Sequence, residues 1–268
     1  MDLQNKKYET LKQYLADLGS VAIAFSGGVD STFLLKVAHE VLGDRALAVT
    51  AQSVSFPVHE LNETKAFCQQ EGIRQVLCKT DELNNKAFIS NPPNRCYICK
   101  HAIFSQLWDA AKTNGISHLA EGSHVDDMSE YRPGMQAIQE LKVKSPLRHV
   151  GLTKTEIRAL SATLGLPTAN KPSFGCLVTR LPYGETITQE KLDMIDAAEQ
   201  LLLNLGFVQV RVRMHGDIAR IEILPEQFAK MMESDCLQTV YRTLREIGFT
   251  YVSLDLGGYR FGSMDETL

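Results

Sequence analysis

The sequence predicts an α/β fold, a doubly wound parallel sheet joined to a second, smaller α+β domain. Three observations predict it. Short apolar runs alternate with helical patterns through the first half of the chain. A glycine-rich turn, Ser26-Gly27-Gly28-Val29-Asp30-Ser31, joins the first run to the first helix. After Asn170 the order changes to helix, two strands, helix and a last strand, which places domains at residues 1–170 and 171–268.

The first run is Val21-Ala22-Ile23-Ala24-Phe25, and Phe33, Leu34, Val37, Ala38, Val41 and Leu42 then form one apolar stripe that Gly43 terminates. Ala46–Val49, Gln75–Cys78 and His118–Ala120 supply three further strands. Helices are predicted over about 58–70 and 100–112, and continuous apolar strands of this kind are those buried on both faces of a parallel sheet. Thr153-Lys154-Thr155-Glu156 reads as a capping box that opens another helix.

In the second domain a helix is predicted over about 189–205, with strands near 208–214, 219–224 and 251–256. Val210-Arg211-Val212-Arg213 alternates strictly, so the two valines share one face and the two arginines the other, about 7 Å apart.

At 268 residues the chain can bury a full core without staples. Its 44% hydrophobic and 22% charged content is globular, and no run approaches the roughly 20 apolar residues that span a bilayer. Residues 1–17 are charged and amphipathic, unlike a secretory signal, so the expected setting is the cytoplasm, with no membrane partner. A net charge of -4 argues against bulk nucleic acid, whose binding draws on basic excess. A small molecule is the expected substrate. The six cysteines are expected to be reduced.

The glycine turn has the chemistry of a pyrophosphate cradle. It lies between a strand and a helix N-terminus, where backbone N–H groups and the helix dipole favour an anion. Gly27 and Gly28 permit close approach, Ser26 and Ser31 donate hydroxyls, and Val29 contributes backbone. The Gly-Lys-Ser/Thr ending of the common P-loop is missing, and its lysine with it. Asp30 beside phosphates makes sense with a bridging Mg²⁺. Gly122, past the end of the fourth strand, completes the candidate ATP set. The pattern leaves Asp126, Asp127, His124 and His215 undecided.

This motif resembles that of the PP-loop, or N-type ATP-pyrophosphatase, superfamily. The resemblance implies cleavage of ATP between the α and β phosphates, transfer of AMP to a substrate oxygen, and Asp30 as a catalytic group.

Cys96-Tyr97-Ile98-Cys99 sets two thiols at a spacing suited to one metal or cluster, just ahead of the helix expected over 100–112. Cys176 follows the hinge Lys171-Pro172-Ser173-Phe174-Gly175, and Arg180 stands four residues on. A structural zinc site or a redox dithiol are the bland readings of the pair. Cys68, Cys78 and Cys236 fall in periodic segments and read as small core residues.

With these pieces the chain resembles the LarE family of ATP-dependent sulfur transferases. The matching stretches are Ser26–Ser31, Glu121-Gly122, Tyr131-Arg132-Pro133-Gly134, Cys176 with Thr179-Arg180 and Pro182-Tyr183-Gly184, Arg211–Arg213, Ile218–Glu222 and Gly257-Gly258-Tyr259-Arg260. The resemblance implies adenylation of a carboxylate on a pyridinium-3,5-biscarboxylate mononucleotide and its conversion to a thiocarboxylate for a nickel-pincer cofactor. It implies substrate binding by Arg180, Glu199, Arg211 and Arg213, and a homo-oligomer, a hexamer in that family. Sulfur comes either from Cys176 itself, which is left as dehydroalanine, or from a [4Fe-4S] cluster on Cys96, Cys99 and Cys176. The otherwise idle Cys-x-x-Cys favours the cluster. An ammonia-using NAD synthetase-like ligase, a tRNA thiolation enzyme and a nucleotide-sensing or zinc-stabilised binding module are the competing readings.

Overall fold

A computed structural model describes residues 3–129, 134–172, 175–260 and 262–264. In chain order its main elements begin α1 (Leu3–Leu18), β1 (Val21–Ala24), α2 (Val29–Leu42), β2 (Ala46–Gln52), α3 (Val58–Glu71), β3 (Gln75–Lys79), α4 (Lys86–Ile89) and α5 (Arg95–Thr113). They continue with β4 (Leu119–Ala120), α6 (Gly134–Glu140), α7 (Pro146–His149), α8 (Lys154–Thr163) and α9 (Gln189–Asn204). The last are β5 (Val210–His215), β6 (Ile218–Ile223), α10 (Phe228–Met231), α11 (Ser234–Ile247) and β7 (Tyr251–Leu254).

Two compact units emerge. The first comprises Met1–Ser53, Val58–Glu82 and Asn94–Ser173; the second comprises Val54–Pro57, Leu83–Pro93 and Phe174–Leu268. Two short pieces from early in the chain thus belong with the carboxy-terminal half. Leu177 N–H donates to Ser55 O at 3.0 Å, and Gly184 N–H to Asn91 O at 2.8 Å. Backbone pairing of this kind carries no side-chain pattern, which is why periodicity does not reveal it.

The first unit holds a parallel sheet of order β3-β2-β1-β4. β1 pairs with β2 from Val21 opposite Ala46 to Ala24 opposite Val49, and with β4 at Ala22 and Ile23. Val21 and Ile23 enter one core with Leu11, Leu15, Phe33, Leu34 and Ile157, while Ala22 enters another with Leu47, Leu107, Ala111 and Ile138. Helices therefore cover both faces, as the continuous apolar strands require. The expected capping box is present: Thr153 Oγ1 accepts from Glu156 N–H, and Glu156 returns the bond to the Thr153 N–H.

The second unit holds a mixed sheet, β5-β6-β7, antiparallel between β5 and β6 and parallel between β6 and β7. α9 packs across β5. The alternation along β5 is as expected, but neither face is solvated. Val210 and Val212 are fully buried, and Arg211 and Arg213 are 5% and 4% exposed.

Candidate active site

β1 and β4 are neighbours, yet the chain leaves β1 for β2 on the other side, so the strand order reverses between β1 and β4. Crevices at such switch points, outside the strand carboxyl ends, are where parallel sheets bind ligands. The glycine turn after β1 and Glu121-Gly122 after β4 both lie there.

The turn is built for close approach. Gly27 sits at φ 71°, and a Cβ on it would lie 2.9 Å from Thr64 Cγ2. Gly28 is the N-cap of α2 and makes no side-chain cap hydrogen bond, so no capping hydroxyl competes with an anion at this helix start. Ser26 Oγ and Ser31 Oγ are 3.0 Å apart, and Ser31 Oγ donates to Gly28 O at 3.3 Å. A Cβ on Gly122 would stand 3.0 Å from Ser31 N and 3.1 Å from Asp30 Cβ. Gly122 therefore sets how closely β4 approaches the loop.

Asp30 lies in the first turn of α2. Its Oδ2 accepts from Lys154 Nζ at 2.6 Å, and its Oδ1 is buried without a partner among the described residues. A buried, unsatisfied carboxylate oxygen is costly unless a cation or donor meets it. The donor set here fits Mg²⁺ held by Asp30 alongside ATP phosphates.

Two lysines at this turn give no local signal in the sequence, where Lys154 stands in a capping box and Lys171 in a hinge. Lys171 Nζ donates to Gly27 O at 3.2 Å and pairs with Glu63 at 2.6 Å and Glu60 at 3.3 Å. No local spacing could have shown this, because Lys171 lies 144 residues from Gly27. Asp126 and Asp127 both accept backbone N–H groups: Asp126 Oδ2 from Lys154 at 2.7 Å, and Asp127 Oδ2 from His124 at 2.9 Å. The Tyr131-Arg132-Pro133 stretch and Ser173-Phe174 lie outside the described residues.

Cys96 and Cys99 lie inside α5, which begins at Arg95, five residues earlier than the periodicity suggests. Pro92-Pro93 ends the preceding segment, and helix starts after such a pair. Both thiols are half-buried. Among the described residues no group of three or more His, Cys, Asp or Glu converges as metal ligands. Cys96 and Cys99 by themselves are two thiols, one short of a three-cysteine cluster.

The second unit gathers the remaining candidates. Arg180 is fully buried and makes a bidentate pair with Glu199, Nε to Oε1 and Nη2 to Oε2, both at 2.8 Å. Its Nη1 donates to Cys176 O at 2.8 Å, so the same guanidinium holds the backbone of the candidate sulfur-bearing residue. Burial works against the charge on Arg180, but Glu199 outweighs it and the pKa is raised. Glu199 also accepts the Val212 N–H at 2.9 Å.

Arg213 Nη2 pairs with Glu222 at 2.9 Å and Nη1 donates to Thr179 O at 3.0 Å, while its Nε is buried without a partner among the described residues. Arg211 lies 5.2 Å over the Tyr259 ring. Burial, and then the neighbouring Arg180, lowers its pKa to about 10. Three buried guanidiniums, Arg180, Arg211 and Arg213, thus face two buried carboxylates, Glu199 and Glu222. Such a cluster suits an anion. His215 accepts from Arg220 Nε at 3.1 Å at the end of β5, away from the role of a free base.

Cys68 is buried and its thiol is pushed up to about 12 by burial, and Cys78 and Cys236 are raised for the same first reason. All six cysteines are free. No helix among the described residues is long and apolar enough to cross a membrane.

Comparison with known proteins agrees with this geometry. The PP-loop domain family model matches residues 2–133. The chain is 39% identical over 263 residues to the pyridinium-3,5-bisthiocarboxylic acid mononucleotide synthase of Lactiplantibacillus plantarum, covering 98% of this chain and 95% of that protein. It is 43% identical to an uncharacterised protein of Synechocystis, across 98% of each chain. A glutamine-hydrolysing GMP synthase component from Thermoplasma volcanium is 29% identical over 69% of this chain and 63% of its own. Likeness to the synthase over almost the whole length, with the nucleotide loop and the arginine cluster both in place, shows that the chain belongs to the LarE family of PP-loop proteins.

Proposed function

We propose that the chain is an ATP-dependent sulfur transferase that converts a carboxylate of a pyridinium-3,5-biscarboxylate mononucleotide into a thiocarboxylate. The observation that carries this reading is the second unit's buried arginine cluster, tied through Arg180 to the backbone of Cys176. Planar guanidiniums suit carboxylates and phosphate, and a carboxylated mononucleotide offers both. The buried Arg213 Nε is a donor available to such an anion.

ATP is held at Ser26–Ser31 and Gly122, with Asp30 supplying oxygen to Mg²⁺, which when bound spreads the charge of the phosphates. A substrate carboxylate oxygen attacks the α phosphorus. The bond to the bridging oxygen breaks, and pyrophosphate leaves with its electron pair. Arg180, Arg211 and Arg213, fixed by Glu199 and Glu222, orient the remaining carboxylate and the phosphate. A sulfur nucleophile then displaces AMP from the acyl carbon.

Two readings of the sulfur source follow. In the first, Cys96, Cys99 and Cys176 would hold a [4Fe-4S] cluster, whose chemistry when bound would be to present exogenous sulfide as the nucleophile; the Cys96–Cys99 spacing supports it. In the second, Cys176 is the donor. Its thiolate forms the thioester, a base removes the Cα proton, and the Cβ–S bond breaks toward sulfur, leaving dehydroalanine. The hold of Arg180 on Cys176 O, within the same cluster that suits the substrate anion, supports this second reading.

The free cysteines support a reducing, cytoplasmic setting. Exposed Tyr251 on the edge strand β7 and exposed Leu237 and Tyr241 on α11 support a homo-oligomer formed through the second unit. Light scattering of the purified protein tests this.

The deciding experiment is anaerobic purification with iron and sulfide analysis, followed by turnover with ATP and the biscarboxylate nucleotide. Pyrophosphate release that depends on the nucleotide, with thiocarboxylate product, is expected. Cys176→Ala should keep pyrophosphate release and lose sulfur incorporation. Full sulfur incorporation by Cys176→Ala overturns both sulfur readings, and iron in the wild type with intact Cys176 after turnover selects the cluster.

A further inference from the structure

The glycine turn lacks the lysine that in the common P-loop reaches the β and γ phosphates. Two ammonium groups approach it from distant parts of the first unit, and their surroundings differ. Lys171 is held by two carboxylates of α3, Glu60 and Glu63, as well as by Gly27 O. Its charge is committed to those acids. Lys154 has one carboxylate on its Nζ among the described residues, Asp30 Oδ2 at 2.6 Å, the group that would hold Mg²⁺.

The backbone of Lys154 is fixed from two sides. It is the first residue of α8, behind the capping box of Thr153 and Glu156, and its N–H is taken by Asp126 Oδ2 at 2.7 Å. Its side chain spans from this anchored point to the first turn of α2. The Lys154–Asp30 contact neutralises a carboxylate that would otherwise repel a triphosphate.

We propose that Lys154 is the missing phosphate-binding cation of this nucleotide site. This deepens the ATP-using reading given above and rests on it. Asp30 holds Lys154 at the site, and with Asp30 engaged by a bound Mg²⁺ the Lys154 ammonium would be free to reach the β and γ phosphates. There it stabilises the charge that collects on pyrophosphate as the α-phosphorus bond to the bridging oxygen breaks.

The test compares Mg²⁺-supported binding of ATP, inorganic pyrophosphate and AMP by titration calorimetry in the wild type, Lys154→Met and Lys154→Arg, with folding checked by circular dichroism. One lost charge-assisted contact corresponds to about a 10- to 100-fold weakening. The expected result is that loss for ATP and pyrophosphate in Lys154→Met, AMP affinity unchanged within about 2-fold, and recovery in Lys154→Arg. AMP lacks the β and γ phosphates, so a lysine that merely shaped the loop would weaken ATP and AMP alike. Equal weakening of both, or no weakening of either, overturns the proposal. If Lys154→Met does not fold, Lys154→Gln, which keeps a donor for Asp30 without the charge, takes its place under the same criteria. Wild-type protein that binds neither ATP nor AMP overturns the nucleotide-site reading itself, an outcome distinct from selective loss in the variant.

Discussion

Arg180 and Glu199 form two parallel hydrogen bonds of 2.8 Å in the interior of the second unit, with Arg180 fully buried and Glu199 4% exposed. The pair joins α9 to the backbone of Cys176 on one side and to β5, through Val212 N–H, on the other. Removing one member of a buried pair strands the other charge, at a cost of about 3–5 kcal/mol. Glu199→Ala is expected to lose stability on this scale in urea unfolding. A loss under about 1 kcal/mol would show that water reaches Arg180 and that the pair is not structural.

The same logic makes Gly122 a sensor of the nucleotide loop. A Cβ there meets Ser31 N and Asp30 Cβ at 3.0 and 3.1 Å, so the loop must give way by a few tenths of an ångström. Gly122→Ala should reduce kcat/KM for ATP by at least about 10-fold, since small misplacements at a reacting centre cost orders of magnitude. KM for the nucleotide acceptor should stay near the wild-type value.

Tyr259 reaches Arg211 because the turn before it is locked to β6. Asp255 N–H donates to Ile221 O at 2.8 Å and Tyr259 N–H to Ile223 O at 2.9 Å, with Gly258 at φ 66° between them. A cation over an aromatic face contributes about 0.5–2 kcal/mol. Tyr259→Ala is predicted to raise KM for the acceptor roughly 2- to 30-fold with kcat for bound substrate little changed, and Tyr259→Phe to restore it. An unchanged KM in the alanine variant would remove Tyr259 from the site.

His215 predicts an acid limb of the stability curve. Burial, then Arg220, lowers its pKa from 6.5, and Arg220 Nε donates to its Nε2, which must be unprotonated to accept. The unfolded chain therefore takes up a proton near pH 6.5 before the folded chain does, so stability present above that pH is lost as pH falls. His215→Gln keeps an acceptor without the titration. Its melting temperature should fall less than that of the wild type between pH 6.5 and 5.

Cys68 predicts the alkaline limb. Its thiol, pushed up to about 12 from 9.0, stays protonated in the fold while the unfolded chain ionises. Stability is fully present below pH 9 and declines from there toward pH 12, by at most about 1.4 kcal/mol per pH unit. Native protein treated with a thiol reagent at pH 8 should leave Cys68 unmodified and react at half-buried cysteines, as peptide mapping would read.

Periodicity and turn chemistry by themselves determined the layered first unit, because buried parallel strands must be apolar throughout and a strand-to-helix glycine turn has few physical uses. The alternation of Val210 to Arg213 likewise set which side chains share a face. Only the tertiary structure decided what each face meets: the arginines enter a buried network with Glu199 and Glu222 rather than water. It also decided the cations of the nucleotide loop, Lys154 and Lys171, and the return of residues 54–57 and 83–93 to the second unit. Those features arise from contacts between segments as much as 144 residues apart, and such contacts leave no mark on local spacing.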